Sequence, residues 1–157
     1  MSVSARLLLG LITGALWAQT PNASFVVQVE GKPALTVTAS DLAAMPRHTV
    51  TANQHGKQIQ YEGVYIRDVL AKAGVPFGNE LKGKRLSSYV LATAHDGYAV
   101  VYTLAEMDPD FTEGDLLISD KVGGQPEGPF RIIAPHDKKP ARSLRMLERL
   151  EVVQLVK

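Results

Sequence analysis

Residues 127–145 read EGPFRIIAPHDKKPARSLR and hold the densest basic chemistry in the chain. A Gly-Pro pair leads into the run Phe130 to Ala134, which carries Arg131 and stops at Pro135. Lys138, Lys139, Arg142 and Arg145 then follow within eight residues. Guanidinium forks match phosphate oxygens in two-point geometry, and lysine adds a compact point charge. Arg131, His136, Lys138, Lys139 and Arg142 could therefore converge on an anion; a solvated surface turn is the alternative for the same residues. The other reactive types are less organised. His48, His55, His95 and His136 all fall at or beside turns and none forms an HxH or HExxH pair, so spacing defines no metal site. Residues 108–120, DPDFTEGDLLISD, fail as an EF-hand, because Glu113 takes the glycine position and Ser119 the bidentate glutamate position. No GxSxG elbow supports a serine triad. The chain has no cysteine, which excludes thiolate metal sites, thiol nucleophiles and iron–sulfur clusters, and leaves stability to the core.

At 157 residues, 45% hydrophobic and 21% charged, the composition is that of one globular domain. Arg6 followed by the apolar run Leu7 to Trp17 and the small residue Ala18 has the pattern of a secretory leader, too short to span a bilayer stably. The expectation is a signal peptide over 1–18, a domain over 19–157, a periplasmic or secreted location and no membrane span after cleavage; an uncleaved anchor is the alternative. Loss of Arg6 takes the net charge from +1 to 0, which removes the basic surplus that nucleic-acid binding needs. Charge is nevertheless segregated: Leu86 to Asp120 has seven acids and no Lys or Arg, whereas Lys121 to Arg149 has seven Lys or Arg against three acids.

The elements that must position these residues are mostly short strands. Alternation predicts a strand over 24–30, and β-rich or apolar segments predict further strands over 34–38, 48–52, 58–61, 86–94, 98–103, 116–119, 130–134 and 150–156, with turns at Gly31-Lys32, Asn53 to Lys57, His95-Asp96-Gly97 and Gly123-Gly124. Apolar positions 66, 69, 70 and 73 predict one clear helix over Val64 to Ala73, ended by Gly74. Ser40 or Asp41 is expected to cap a short helical turn, and Thr103 with Glu106 fits a capping box. The fold class is α+β, mostly β.

Three motifs carry a family resemblance: GVxxxDVL at Gly63 to Leu70, DGY at Asp96 to Tyr98, and GPxRxxxP at Gly128 to Pro135. In this order they resemble the oxidoreductase molybdopterin-binding domain, the fold of sulfite oxidase and of the periplasmic methionine-sulfoxide reductase catalytic subunit, over roughly Phe25 to Val156. The resemblance implies mixed sheets with a few short helices and an anionic pterin phosphate as ligand. It also implies a cofactor-facing half holding His55, Asp96, Tyr98, Arg131, His136, Lys138 and Arg142. The family's redox enzymes ligate molybdenum through one cysteine about a dozen residues before the glycine matching Gly63. Here that count falls on Thr51. A neutral hydroxyl does not replace a soft thiolate. The expectation is thus an exported molybdopterin-binding-like domain that takes an anionic pterin-type small molecule without cysteine ligation of molybdenum and has no protein metal site. The alternatives are a molybdenum-dependent oxidoreductase and a fold-only module that offers its basic loop to a periplasmic protein partner.

Overall fold

The computed structural model describes residues 23–156; the expected leader over 1–18 lies outside them. No described helix is long and apolar enough to cross a membrane. Among the described residues nine strands form two sheets. The first is five-stranded, in the order β2 (Leu35–Thr38), β1 (Ser24–Val29), β9 (Leu147–Gln154), β5 (Ser88–Ala94), β6 (Ala99–Thr103). The second is four-stranded, in the order β3 (His48–Gln54), β4 (Lys57–Tyr65), β7 (Leu117–Val122), β8 (Gln125–Ile133). All pairings are antiparallel except β1 with β9, so the last strand closes the first sheet beside the first strand. The mostly β, α+β expectation holds, with mixed sheets.

The alternation that predicts the strands also builds the core. Phe25, Val27, Val90 and Leu150 of the first sheet meet Val64, Ile118 and Ile132 of the second. Phe25 and Phe130 join the sheets edge to face, ring centroids 5.6 Å apart. The helix α2 (Ile66–Lys72) turns Ile66, Val69 and Leu70 into this core. It begins two residues later than its periodicity suggests, because Val64 and Tyr65 remain in β4, paired with Ile118 and Leu117. The short helix α1 (Ala39–Ala43) is capped by Thr38 instead of Ser40 or Asp41: the Thr38 hydroxyl accepts the Asp41 amide, and the Asp41 carboxylate accepts the Thr38 amide. The terminal strand starts and ends earlier than expected, and β8 reaches back to Gln125, as far as the Gly123-Gly124 turn allows.

A bulge interrupts β4–β7 between Glu62 and Gly63. It leaves Asp120 free to take a two-point contact from Arg47, whose guanidinium also reaches Glu62. On the outer face of the second sheet a smaller cluster forms from Val50, Ala52, Tyr61, Leu117 and Ile133.

Candidate functional site

The basic loop after β8 is a bridge between the two sheets. Its main chain runs beside the free edge of β8, where the Ile132 amide donates to Leu144 O at 2.7 Å and the Ala134 amide to Ser143 Oγ at 3.2 Å. From the other sheet, the Tyr98 hydroxyl donates to Ala141 O at 2.8 Å, and the Tyr102 hydroxyl donates to Arg142 O. Burial pushes the Tyr102 phenol well above its ordinary range, so it remains a donor. Tyr98 and Tyr102 stand four residues apart and hold the same turn, a spacing that was a readable signal for Tyr102.

The loop divides its charges between two sides. On one side Arg142 is spoken for by carboxylates: Nε and Nη2 donate to Asp137 at 2.8 and 2.7 Å, and Nη1 donates to Glu106 Oε1 at 2.7 Å. The Asp137 and Glu106 hydrogen bonds raise the guanidinium pKa further above its ordinary value. Burial alone would raise Glu106, but hydrogen bonds from Arg142 and Thr103 outweigh it and hold the carboxyl below the ordinary range. The Thr103–Glu106 capping box is present as expected. His136 Nε2 lies 2.9 Å from Asp115 Oδ2. A recess of about 350 Å³ opens here, walled by Glu106, Glu113, Asp115 and Asp137 against Arg142 and His136. Four carboxylates around one guanidinium and one imidazole repel an anion. Lys138 is exposed.

The other side is different. Asp96, Tyr98, Ser143, Leu144 and Arg145 enclose a recess of about 220 Å³. The DGY turn is a local hydrogen-bonded turn, in which Asp96 Oδ1 accepts the Tyr98 amide at 3.0 Å. Arg145 is exposed here, yet its charge reaches the Tyr61 hydroxyl, as does that of Arg131. Burial raises the Tyr61 phenol, and these two guanidiniums pull the other way. The Arg131 side chain is only 10% exposed. It lies over the Tyr61 ring at 5.5 Å, donates to the Tyr61 hydroxyl at 3.4 Å and pairs with Glu127 Oε1 at 3.4 Å. Glu127 Oε2 is buried without a partner.

Asp96 and Tyr98 therefore share a recess with Arg145, while Arg142 and His136 face the acidic one. His55 joins neither. It sits exposed at the tip of the β3–β4 hairpin with φ 53°. Gly63 pairs with His48 and Ser119, and Ser119 with Arg131, so His55 lies roughly 20 Å along the sheet from the level of Arg131. Thr51 is exposed on the face of β3 opposite Val50 and Ala52, which pack with Tyr61. A thiol at position 51 would point away from Arg131. Tyr61, Glu127 and Arg145 were missing from the sequence-derived site. Arg145 was visible in the basic run, whereas only the register reveals that Tyr61 reaches Arg131. Among the described residues no group of three His, Cys, Asp or Glu is arranged to hold a metal ion.

No protein-family profile matches the chain, and no curated protein matches it in sequence. Among solved structures it is similar to the sulfane dehydrogenase SoxCD from Paracoccus pantotrophus, with a TM-score of 0.66 at 16% identity. The match covers 85% of this chain and 39% of that one, so the chain spans well under half the length of its structural neighbour. At that identity the likeness shows the fold: a mostly β, α+β domain with the architecture of part of a sulfane dehydrogenase.

Proposed function

We propose that the chain is an exported, non-redox binding domain of the molybdopterin-enzyme architecture. It takes an anionic, phosphate-bearing ligand of pterin type beside Arg145. One observation carries the reading: the DGY turn and the basic loop meet in a single recess, where Asp96 and Tyr98 stand beside Ser143 and the exposed Arg145. The motif resemblance and the fold likeness to a sulfane dehydrogenase support it. The recess, about 220 Å³, is smaller than the roughly 300–1,000 Å³ of a site that engulfs a whole small molecule. It suits a phosphate-bearing end of the ligand.

The family's molybdenum does not fit these residues. The chain offers no thiolate, and the counted position, Thr51, is exposed on the opposite face of the sheet. No redox step is assigned to this domain. The phosphate fits better, since the exposed Arg145 guanidinium suits its oxygens. The carboxylates around Arg142 and His136 favour a second reading, a fold-only interaction module, in which no such ligand binds.

Calorimetric titration with pyrophosphate and with a phosphorylated pterin separates the two. Arg145→Ala is expected to leave thermal stability within about 0.5 kcal/mol, because the head group is exposed. It should weaken binding at least tenfold, the loss of one charge-assisted bond of about 1.5–3 kcal/mol. Equal affinity of wild type and variant for both ligands, or no binding by either protein, would favour the module.

A further inference from the structure

A recess of about 410 Å³ opens at the opposite end of the five-stranded sheet from the DGY turn. Ser88 lines it at the start of β5, whereas Ala94, at the end of that strand, lines the Arg145 recess. The two lie roughly 20 Å apart along the strand and share no residue. The gap forms because one ladder stops before its strands do. Val29 with Val152 is the last pair of β1 and β9; β1 then turns away at Gly31, φ 74°, while β9 continues to Gln154. Lys32 Nζ donates to Gly74 O at 2.6 Å and so ties the β1–β2 turn to the residues that follow α2. The floor is apolar, made of Val75, Leu104 and Val152 from the main core.

Two features set this recess apart from an ordinary gap at the end of a core. Ser88 is 5% exposed, yet its hydroxyl makes no hydrogen bond with any described residue. Buried hydroxyls are ordinarily paired, so one left open to an apolar recess is available to whatever enters. The second feature is charge: the lining holds Lys32 and Arg85 against one acid, Glu30. Arg85 is half-exposed, and its Nη1 donates to Glu80 O at 3.0 Å. The Glu80 carboxylate is 4.0 Å away and mostly exposed, a contact that water screens. Among the described residues no acceptor takes Arg85 Nε or Nη2. Arg85 and Ser88 stand three apart across the end of one 3-10 turn, Gly83–Ser87, where the Ser88 amide donates to Arg85 O, so both reach the same recess. We propose that this recess is a second binding site, for a monocarboxylate with a short apolar body. The carboxylate takes the free edge of the Arg85 guanidinium and the Ser88 hydroxyl, with Lys32 adding charge, and the body covers Val75, Leu104 and Val152. The volume falls within the roughly 300–1,000 Å³ of small-molecule sites.

Amide chemical-shift mapping by NMR tests this with octanoate, and with octanol and octylammonium as probes of equal length without the negative charge. Circular dichroism verifies the fold of each variant. Octanoate is expected to bind saturably, with Kd below about 1 mM, and to shift the amides of Val75, Ser88, Leu104 and Val152. The amides of Asp96 and Tyr98 should stay in place, so the result is independent of the Arg145 site. Octylammonium should bind at least tenfold more weakly. Arg85→Gln should weaken octanoate at least tenfold while leaving octanol within twofold, which separates the head group from the apolar floor. Ser88→Ala should weaken octanoate severalfold and leave the thermal midpoint unchanged, since its hydroxyl has no internal partner to lose. No shift of the four amides at ten times the expected Kd overturns the proposal. Equal binding of all three probes overturns it as well, because the floor alone then accounts for the site. So does octanoate affinity that neither variant changes.

Discussion

Gly63→Ala is expected to be among the most damaging single substitutions in the chain, lowering stability by at least about 3 kcal/mol. A Cβ built at Gly63 lies 1.9 Å from Ile118 O, 2.8 Å from its carbonyl carbon and 2.9 Å from Ser119 Cα. All three are backbone atoms, so no side-chain rotation relieves the clash. Strand β4 would have to separate from β7 at the bulge, where Gly63 faces Ser119 and Val64 faces Ile118. Val64 and Ile118 are both fully buried in the main core. Against a typical total of about 5–15 kcal/mol, such a loss leaves a large fraction of molecules unfolded at physiological temperature. Thermal unfolding checks it: a midpoint within about 2 °C of wild type would show that the strands accommodate the methyl group.

Arg131→Met is expected to cost about 2 kcal/mol, seen as a midpoint lowered by roughly 5–10 °C. The guanidinium serves Tyr61 and Glu127 from a side chain that is 10% exposed, and Glu127 already has one buried oxygen without a partner. Removing the cation leaves that carboxylate with nothing to offset its desolvation. Glu127 is 33% exposed, which moderates the loss below that of a fully buried pair. The double variant Arg131→Met/Glu127→Leu should recover most of the stability, because it removes the stranded charge together with its partner. If the double variant is less stable than Arg131→Met, the cost lies in packing against Tyr61 and not in the charge. This geometry also makes Arg131 a poor probe of ligand binding on its own, since its substitution disturbs the sheet. Exposed Arg145 separates binding from stability.

Particular residues explain how much of this was legible in the sequence. Phe25 and Val27, Val90 and Ala92 alternate cleanly and face the core, so their strands could be read from period two, whereas Phe130 to Ala134 is a continuous buried run. The end of β4 could not, because the stripe of Ile66, Val69 and Leu70 does not fix where the helix begins; pairing of Val64 with Ile118 decides it. The basic loop was visible as composition, but its partition was not. Glu106 and Asp115 arrive from separate segments to meet Arg142 and His136, and sequence spacing carries no record of those two meetings; Asp137 comes from the loop itself. His55 shares a basic and aromatic neighbourhood with no other candidate, because a hairpin tip extends away from the sheet it belongs to.

The measurement that tests the central claim most directly is the pterin and molybdenum content per chain of protein purified from its native compartment, by fluorescence of the oxidised pterin and by elemental analysis. A phosphate-binding domain without thiolate ligation is expected to carry pterin in excess of molybdenum, to lose that pterin in Arg145→Ala, and to turn over neither sulfite nor a sulfoxide. One molybdenum per chain, retained through purification and accompanied by turnover, would contradict the account.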